Sequence, residues 1–500
     1  MHKKPFFNFL RIAILSVAMT SFLSSCFLFY EDGDDDDEIA KQTSDWLILD
    51  YFDADNNLND DLFRDLVNQQ CALASLGGGF APSVRILALW DGQSATGAAD
   101  DGNTRVHPNG ALYELGAMDE NTFRRLNSGT DTSFLMSANT KELTSSVSWL
   151  SYEPNMGDVS TLTNYLKWAN KYYSARNVVL MLSDHGAGTD AESFSGKQSA
   201  RSLCFDDSDK SGSYLTATDV KNAIKDSGLN VNVIWQDCCL QGNAETAYLL
   251  RGCADYLVTS ANTSYSNDHF AVISSLADSN STPLSFAKAI VKAYADKLKN
   301  SNMQMGADEC ASYGTVLTQV AFNLSSAKQN ALYSAIDALS SALIAEGASK
   351  CKAVYNNYLV QDGNDFDSCK GMAYHGSLVY LNDIGYFCKN LIADSSLSAN
   401  TKSQASRVMS ALDGIIASSW IGKKEGESQY QYAKNVAGYS GVLDGQGSFG
   451  LTIATQLNPY CTAHGGDSKY PFYSHYSQLT GYSSNWGELM KIWHSNELAY

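Results

Sequence analysis

Asn177-Val178-Val179-Leu180-Met181-Leu182-Ser183-Asp184-His185-Gly186 and Val231-Asn232-Val233-Ile234-Trp235-Gln236-Asp237-Cys238-Cys239 are the two stretches on which the fold turns. Each is a short apolar run, rich in β-branched residues, that stops at small and polar residues, as buried strands do. Between them Thr216 has the place of a helix cap, ahead of helical spacing through residue 224. The alternation continues on both sides. Residues 46–52 and 84–90 read as two earlier strands, with helical stretches at 62–76 and 161–173. Residues 244–250 read as a helix and 256–260 as a fifth strand. Strands apolar throughout, alternating with helices, predict an α/β fold with a mainly parallel sheet covered on both faces. Ligands of such sheets sit beyond the carboxyl ends of the strands. His185 and Cys239 stand there, on successive strands.

After residue 300 the pattern weakens. It predicts a long helix over 322–344, a strand at 377–381, helices over 384–391 and 404–417, and a strand at 449–455. No internal repeat is present. The whole chain of 500 residues is 44% hydrophobic and 18% charged, with 7 prolines, which excludes a long disordered or proline-rich protein. Acidic residues outnumber basic ones 54 to 35, a net charge of −19, so nucleic acid is not an expected partner.

The N-terminus reads as a targeting segment. Lys3, Lys4 and Arg11 precede residues 12–30, which carry no charge. Leu23-Ser24-Ser25-Cys26 resembles a bacterial lipobox, so Cys26 is the expected lipidated N-terminus and residues 1–25 the signal peptide. An uncleaved membrane anchor is the competing reading. Seven of the eight residues 31–38 are acidic, and residues 26–44 are expected to form a solvated tether. Such a run after a lipid cysteine resembles surface-export signals of Gram-negative lipoproteins. The expected location is therefore the cell envelope, lipid-anchored, at the outer membrane. Of the 11 cysteines none forms a C-x-x-C pair, so neither a zinc site nor a disulfide scaffold is expected.

The chemistry points to a cysteine–histidine pair. A thiolate is the nucleophile, and its pKa falls beside a histidine or a helix N-terminus. Backbone N–H groups of Gly186 and Cys239 are candidates for an oxyanion hole. Alternation along the strand puts Asp237 and Cys239 on one side and Cys238 on the other, so Cys239 is the expected nucleophile. The histidine precedes it by 54 residues, a caspase-like separation.

These blocks resemble the clostripain-like (C11) cysteine peptidases of the caspase-like clan. Residues 46–58, with Ala54-Asp55-Asn56-Asn57-Leu58, look like the family's opening strand and turn; Asn155-Met156-Gly157-Asp158, Ser183–Gly188, Asp237–Leu240 and Ala254–Val258 follow in order. The departures are Cys238 in place of alanine, and Gln241-Gly242 after the nucleophile. The resemblance implies a caspase-like α/β/α sandwich over 45–300, with residues 301–500 as a mixed C-terminal region packed on it. It implies a peptidase for protein or peptide substrates cut after Arg or Lys, with Asp237 and Asp268 as pocket anions. It also implies a processing cut near Lys197 or Arg201. No cofactor is required by this chemistry. Calcium enters because some relatives depend on it, and Asp207-Ser208-Asp209-Lys210-Ser211-Gly212 opens like an EF-hand loop, although its twelfth position is Thr218. His269 is expected to pack rather than act as a base. Two other functions fit a lipoprotein of this size, a non-catalytic binding module and a Cys/His acyltransferase.

Overall fold

The structure, a computed structural model, describes residues 40–76, 83–92, 109–127, 135–186, 188, 203–204, 213–262, 264–300, 317–359, 373–375, 379–422, 432–437, 449–457 and 482–493. Cys26, Lys197, Arg201 and residues 207–212 lie outside them.

Among the described residues there are thirteen strands: β1 (Gln42–Ala54), β2 (Val84–Gly92), β3 (Ala111–Glu114), β4 (Lys141–Glu142), β5 (Tyr173–Ser183), β6 (Val233–Asp237), β7 (Tyr256–Thr259), β8 (Thr318–Asn323), β9 (Ala373–His375), β10 (Val379–Asp383), β11 (Ile416–Ile421), β12 (Tyr432–Lys434) and β13 (Thr452–Leu457). Ten make one sheet in the order β12-β11-β8-β7-β6-β5-β1-β2-β3-β4. The middle of that sheet, from β7 to β2, is parallel throughout. Both flanks are antiparallel. The α/β sandwich is thus as expected, but the sheet does not end at residue 300, since β8, β11 and β12 extend it. The remaining strands form a separate sheet in the order β13-β10-β9.

Alternation along β1 builds two apolar layers. Leu47, Leu49 and Tyr51 face the helices Val159–Tyr172 and Ala217–Ser227. Trp46, Ile48 and Phe52 face the helices Asn59–Ser75, His269–Ser274 and Pro283–Asn300. The helix caps are readable in the sequence. Thr216 and Asp219 form a capping box, and Asp158 accepts from the N–H of Ser160. The long helix expected over 322–344 is two elements: β8 ends at Asn323, and the helix Ser326–Ala345 follows.

Candidate active site

Register brings the site together. Phe52 of β1 pairs with Ser183 of β5, and Ser183 pairs with Asp237 of β6. Three parallel strands therefore end level. His185 and Cys239 each lie two residues past a paired position, so the two backbones leave the sheet side by side. Their approach is close: a β-carbon at position 186 would lie 2.1 Å from the carbonyl oxygen of Cys239. Only glycine fits there. Cys238 is buried in the first apolar layer, and Cys239 is half-buried against the same layer.

The ring of His185 is held from the first strand. Its Nε2–H donates to Oδ1 of Asn57 at 2.9 Å. That bond selects the tautomer with its lone pair on Nδ1. Asn56, the neighbour in the same turn, donates through Nδ2 to Oδ1 of Asp184 at 2.7 Å. The Asn-Asn pair, part of the turn that ends the opening strand, is thus the support for the histidine segment. Its signal was there: both residues follow the carboxyl end of a parallel strand.

The thiol of Cys239 faces Ser264, whose backbone N–H donates to Sγ at 3.2 Å. Burial pushes the thiol pKa up to about 11, the Ser264 N–H opposes this, and Asp237 and Asp184 add to it. The expected lowering by a helix N-terminus does not occur. The following helix, Ala244–Leu249, is capped only at Asn243, whose own side chain accepts the Thr246 N–H. At rest the Cys239 side chain is therefore a protonated thiol, one that would need a base in order to attack as a nucleophile.

The loop after Cys239 is pinned on three sides. Leu240 N–H donates to Asn262 O at 3.1 Å and Gly242 N–H to Ser260 O at 2.7 Å. Thr452 of β13 donates its N–H to Gly242 O at 3.0 Å, and Ala454 N–H reaches Oε1 of the buried Glu245 at 3.0 Å. Nε2 of Gln241 donates to Gly188 O at 3.1 Å.

Asp237 lies beneath the nucleophile, its side chain 1% exposed. Its Oδ2 accepts from His269 Nε2 at 2.9 Å and from Asn267 N–H at 3.3 Å, while Oδ1 has no hydrogen-bond partner. Asp65 lies 3.6 Å from the same His269 nitrogen and accepts the Ser266 hydroxyl. Burial by itself lowers the His269 pKa, but Asp65 and Asp237 overcome it and hold the group at about 8. His269 is fully buried, stacked on Trp235, and thus a packing histidine. The ligand atoms of Asp65, Asp237 and His269 lie within 4.8 Å of one another, the donor set of a cation site, yet the imidazole already bridges the two carboxylates. Asp268 accepts the Ala271 N–H at 2.9 Å and caps the helix His269–Ser274. It is not a member of the Asp65, Asp237 and His269 cluster. The described cysteines are free thiols.

A sequence model of the clostripain family matches residues 50–493. Clostripain of Hathewaya histolytica is 27% identical over 208 residues, which span 41% of this chain and 35% of that protein. An inactive zymogen C11 protease from Parabacteroides distasonis superposes with a TM-score of 0.52 at 15% identity, covering 90% of this chain and 99% of that one. A secreted C11 cysteine protease from Bacteroides thetaiotaomicron, solved with an irreversible peptide inhibitor, gives 0.51 at 14%, covering 89% and 99%. At these identities the two structures speak to the fold, the α/β/α sandwich.

Proposed function

The chain belongs to the clostripain family of cysteine peptidases, and from that premise we propose that it is an endopeptidase in which Cys239 and His185 cut peptide bonds after Arg or Lys. The observation that carries the reading is the level ending of β5 and β6, which sets His185 and Cys239 on touching backbones. Sγ of Cys239 attacks the scissile carbonyl carbon as its proton passes to Nδ1 of His185. The carbonyl oxygen, now negative, is received by the N–H groups of Gly186 and Cys239. The C–N bond breaks, the leaving amine takes the proton from His185, and water then hydrolyses the thioester.

Basic specificity is assigned to Asp237. Its Oδ1 is a buried acceptor without a hydrogen bond, and an arginine or lysine at P1 supplies the missing donor. A P1 aspartate would meet like charge. A P1 library tests the reading: cleavage after Arg and Lys that disappears in Cys239→Ala and in His185→Ala supports it. A preference for Asp or Leu overturns the pocket assignment. Activity retained in Cys239→Ala and lost in Cys238→Ala overturns the nucleophile. An added amine that competes with water for the thioester would mark an acyltransferase instead.

The mature protein is placed in the cell envelope, anchored at the outer membrane through lipid on Cys26. Mass spectrometry of its N-terminus decides this, with an acylated Cys26 expected. Processing after Lys197 or Arg201 gives new termini at Gln198 or Ser202, readable by N-terminal sequencing. The part calcium takes is read from activity before and after chelation.

A further inference from the structure

Gln241 follows the nucleophile by two residues and is completely buried, although glutamine is a costly side chain to bury unless it is bonded. Its Nε2 reaches out of the nucleophile loop to the carbonyl oxygen of Gly188 at 3.1 Å. Gly188 belongs to the loop that carries His185. This bond therefore joins the loop of Cys239 to the loop of His185 directly.

Both joined segments are conformationally unusual. Leu240, between Cys239 and Gln241, has φ +65°, and Gly188 has φ +98°. A non-glycine residue in the left-handed region costs free energy and persists only where its surroundings enforce it. The enforcement on Leu240 is visible: its N–H is held by Asn262 O, and the next residue but one, Gly242, is held by Ser260 O and by Thr452 N–H. On the Gly188 side there is little space to shift, since a β-carbon there would lie 3.2 Å from Leu381 Cδ1 and 4.0 Å from Leu240 Cβ. The Gln241 bond thus ties the loop that follows Cys239 to the loop that follows His185.

We propose that Gln241 is a positioning residue that holds the histidine loop and the nucleophile loop in register for proton transfer from Cys239 to His185. The inference rests on the Cys239/His185 reading. It also explains the departure of Gln241 from the family-like block: this chain uses that position for a bond between loops.

The test compares wild type with Gln241→Met, which keeps the length without a donor, and Gln241→Glu, which keeps the shape but puts a carboxylate against the Gly188 carbonyl. Turnover of a basic-P1 reporter, thermal stability, and the pH dependence of Cys239 alkylation by iodoacetamide are measured. Loss of register predicts kcat lower by about 10- to 100-fold with KM within about twofold. It also predicts that the His185-dependent inflection in alkylation disappears, as it does in His185→Ala, while the melting temperature is kept. Either variant with kcat within twofold of wild type overturns the proposal. So does a loss of kcat that tracks a fall in melting temperature while the alkylation profile stays like wild type. Activity in Cys239→Ala or His185→Ala overturns the dyad and this inference together, whereas failure at Gln241 alone leaves the dyad standing.

Discussion

Asn57 meets His185 through a hydrogen bond to Nε2, and in the mechanism proposed above that bond leaves Nδ1 to act as base. Asn57→Ala frees the ring to rotate and to change tautomer. We expect kcat to fall about 10- to 100-fold with the fold intact, a loss typical of misplaced acid–base groups; steady-state kinetics and circular dichroism check this. Deeper down, Asp50, Asp65 and His269 titrate together. Burial raises Asp50 to about 7 and Asp65 to about 6, against the pull of His269 on each. His269 itself is held at about 8, above its ordinary 6.5. The folded state therefore binds protons more tightly at all three groups. The stability due to His269 is fully present below its unfolded pKa and is lost as pH rises through about 8; the two carboxyls lose theirs earlier, between their ordinary values and 6 to 7. The melting temperature should fall by a few degrees between pH 6 and pH 8, and Asp50→Asn should flatten the lower part of that slope. A melting temperature that rises over this range would contradict the assignment. Of this site the sequence makes His185, Cys239 and the inward turn of Cys238 legible, because strand alternation and strand ends are local patterns. Ser264 and Asp65 are not legible as site residues, because only the packing of a loop and a helix from distant parts of the chain brings them near.

The elements that matter most for the nucleophile are the ends of β6 and β7 and the edge of the small sheet. β13 lies across the loop after Cys239, with a parallel bridge between Asn243 and Thr452. Glu245 completes the join by accepting the Ala454 N–H. Glu245→Ala leaves that buried N–H without its acceptor, which costs about 1–3 kcal/mol. Glu245→Gln keeps an oxygen in place and should recover most of the loss. Urea unfolding of the two variants measures the difference, and a matching drop in kcat for the alanine variant alone would tie β13 to the geometry of the loop. Equal stability of Glu245→Ala and wild type would mean that the contact contributes nothing.

Over the whole molecule, the parallel centre of the sheet was legible as apolar runs, and so were β10 and β13 near residues 377–381 and 449–455, but β8 and β11 were not. The reason is visible in their side chains. β8 and β11 bury Thr318, Gln319, Ser418 and Ser419 within the sheet, so neither strand shows a continuous apolar run. Thr318 is engaged on both sides, bonding to the Ser260 hydroxyl and accepting the Ala261 N–H, each at 2.9 Å. Val320 and Phe322, in turn, run into the apolar spacing of the next helix and hide the boundary at Asn323. These strands make the C-terminal part of the chain more than a cover. β8 pairs along all of β7, and the loop leading out of β7 carries Ala261, Asn262 and Ser264, the backbone that fixes the nucleophile loop and meets the thiol. A chain cut after residue 300 would expose the whole edge of β7 and the apolar side of the helix Pro283–Asn300, which packs on β8 and β11. It would also lose the Thr452 and Ala454 bonds to Gly242 and Glu245. We expect residues 40–300 expressed alone to be insoluble or to lack a cooperative unfolding transition, and to give no labelling of Cys239 by a peptidyl thiol probe. Co-expression with residues 301–500 should restore both. A soluble, cooperatively folding and labelled 40–300 fragment would show instead that the parallel core holds its active loops unaided.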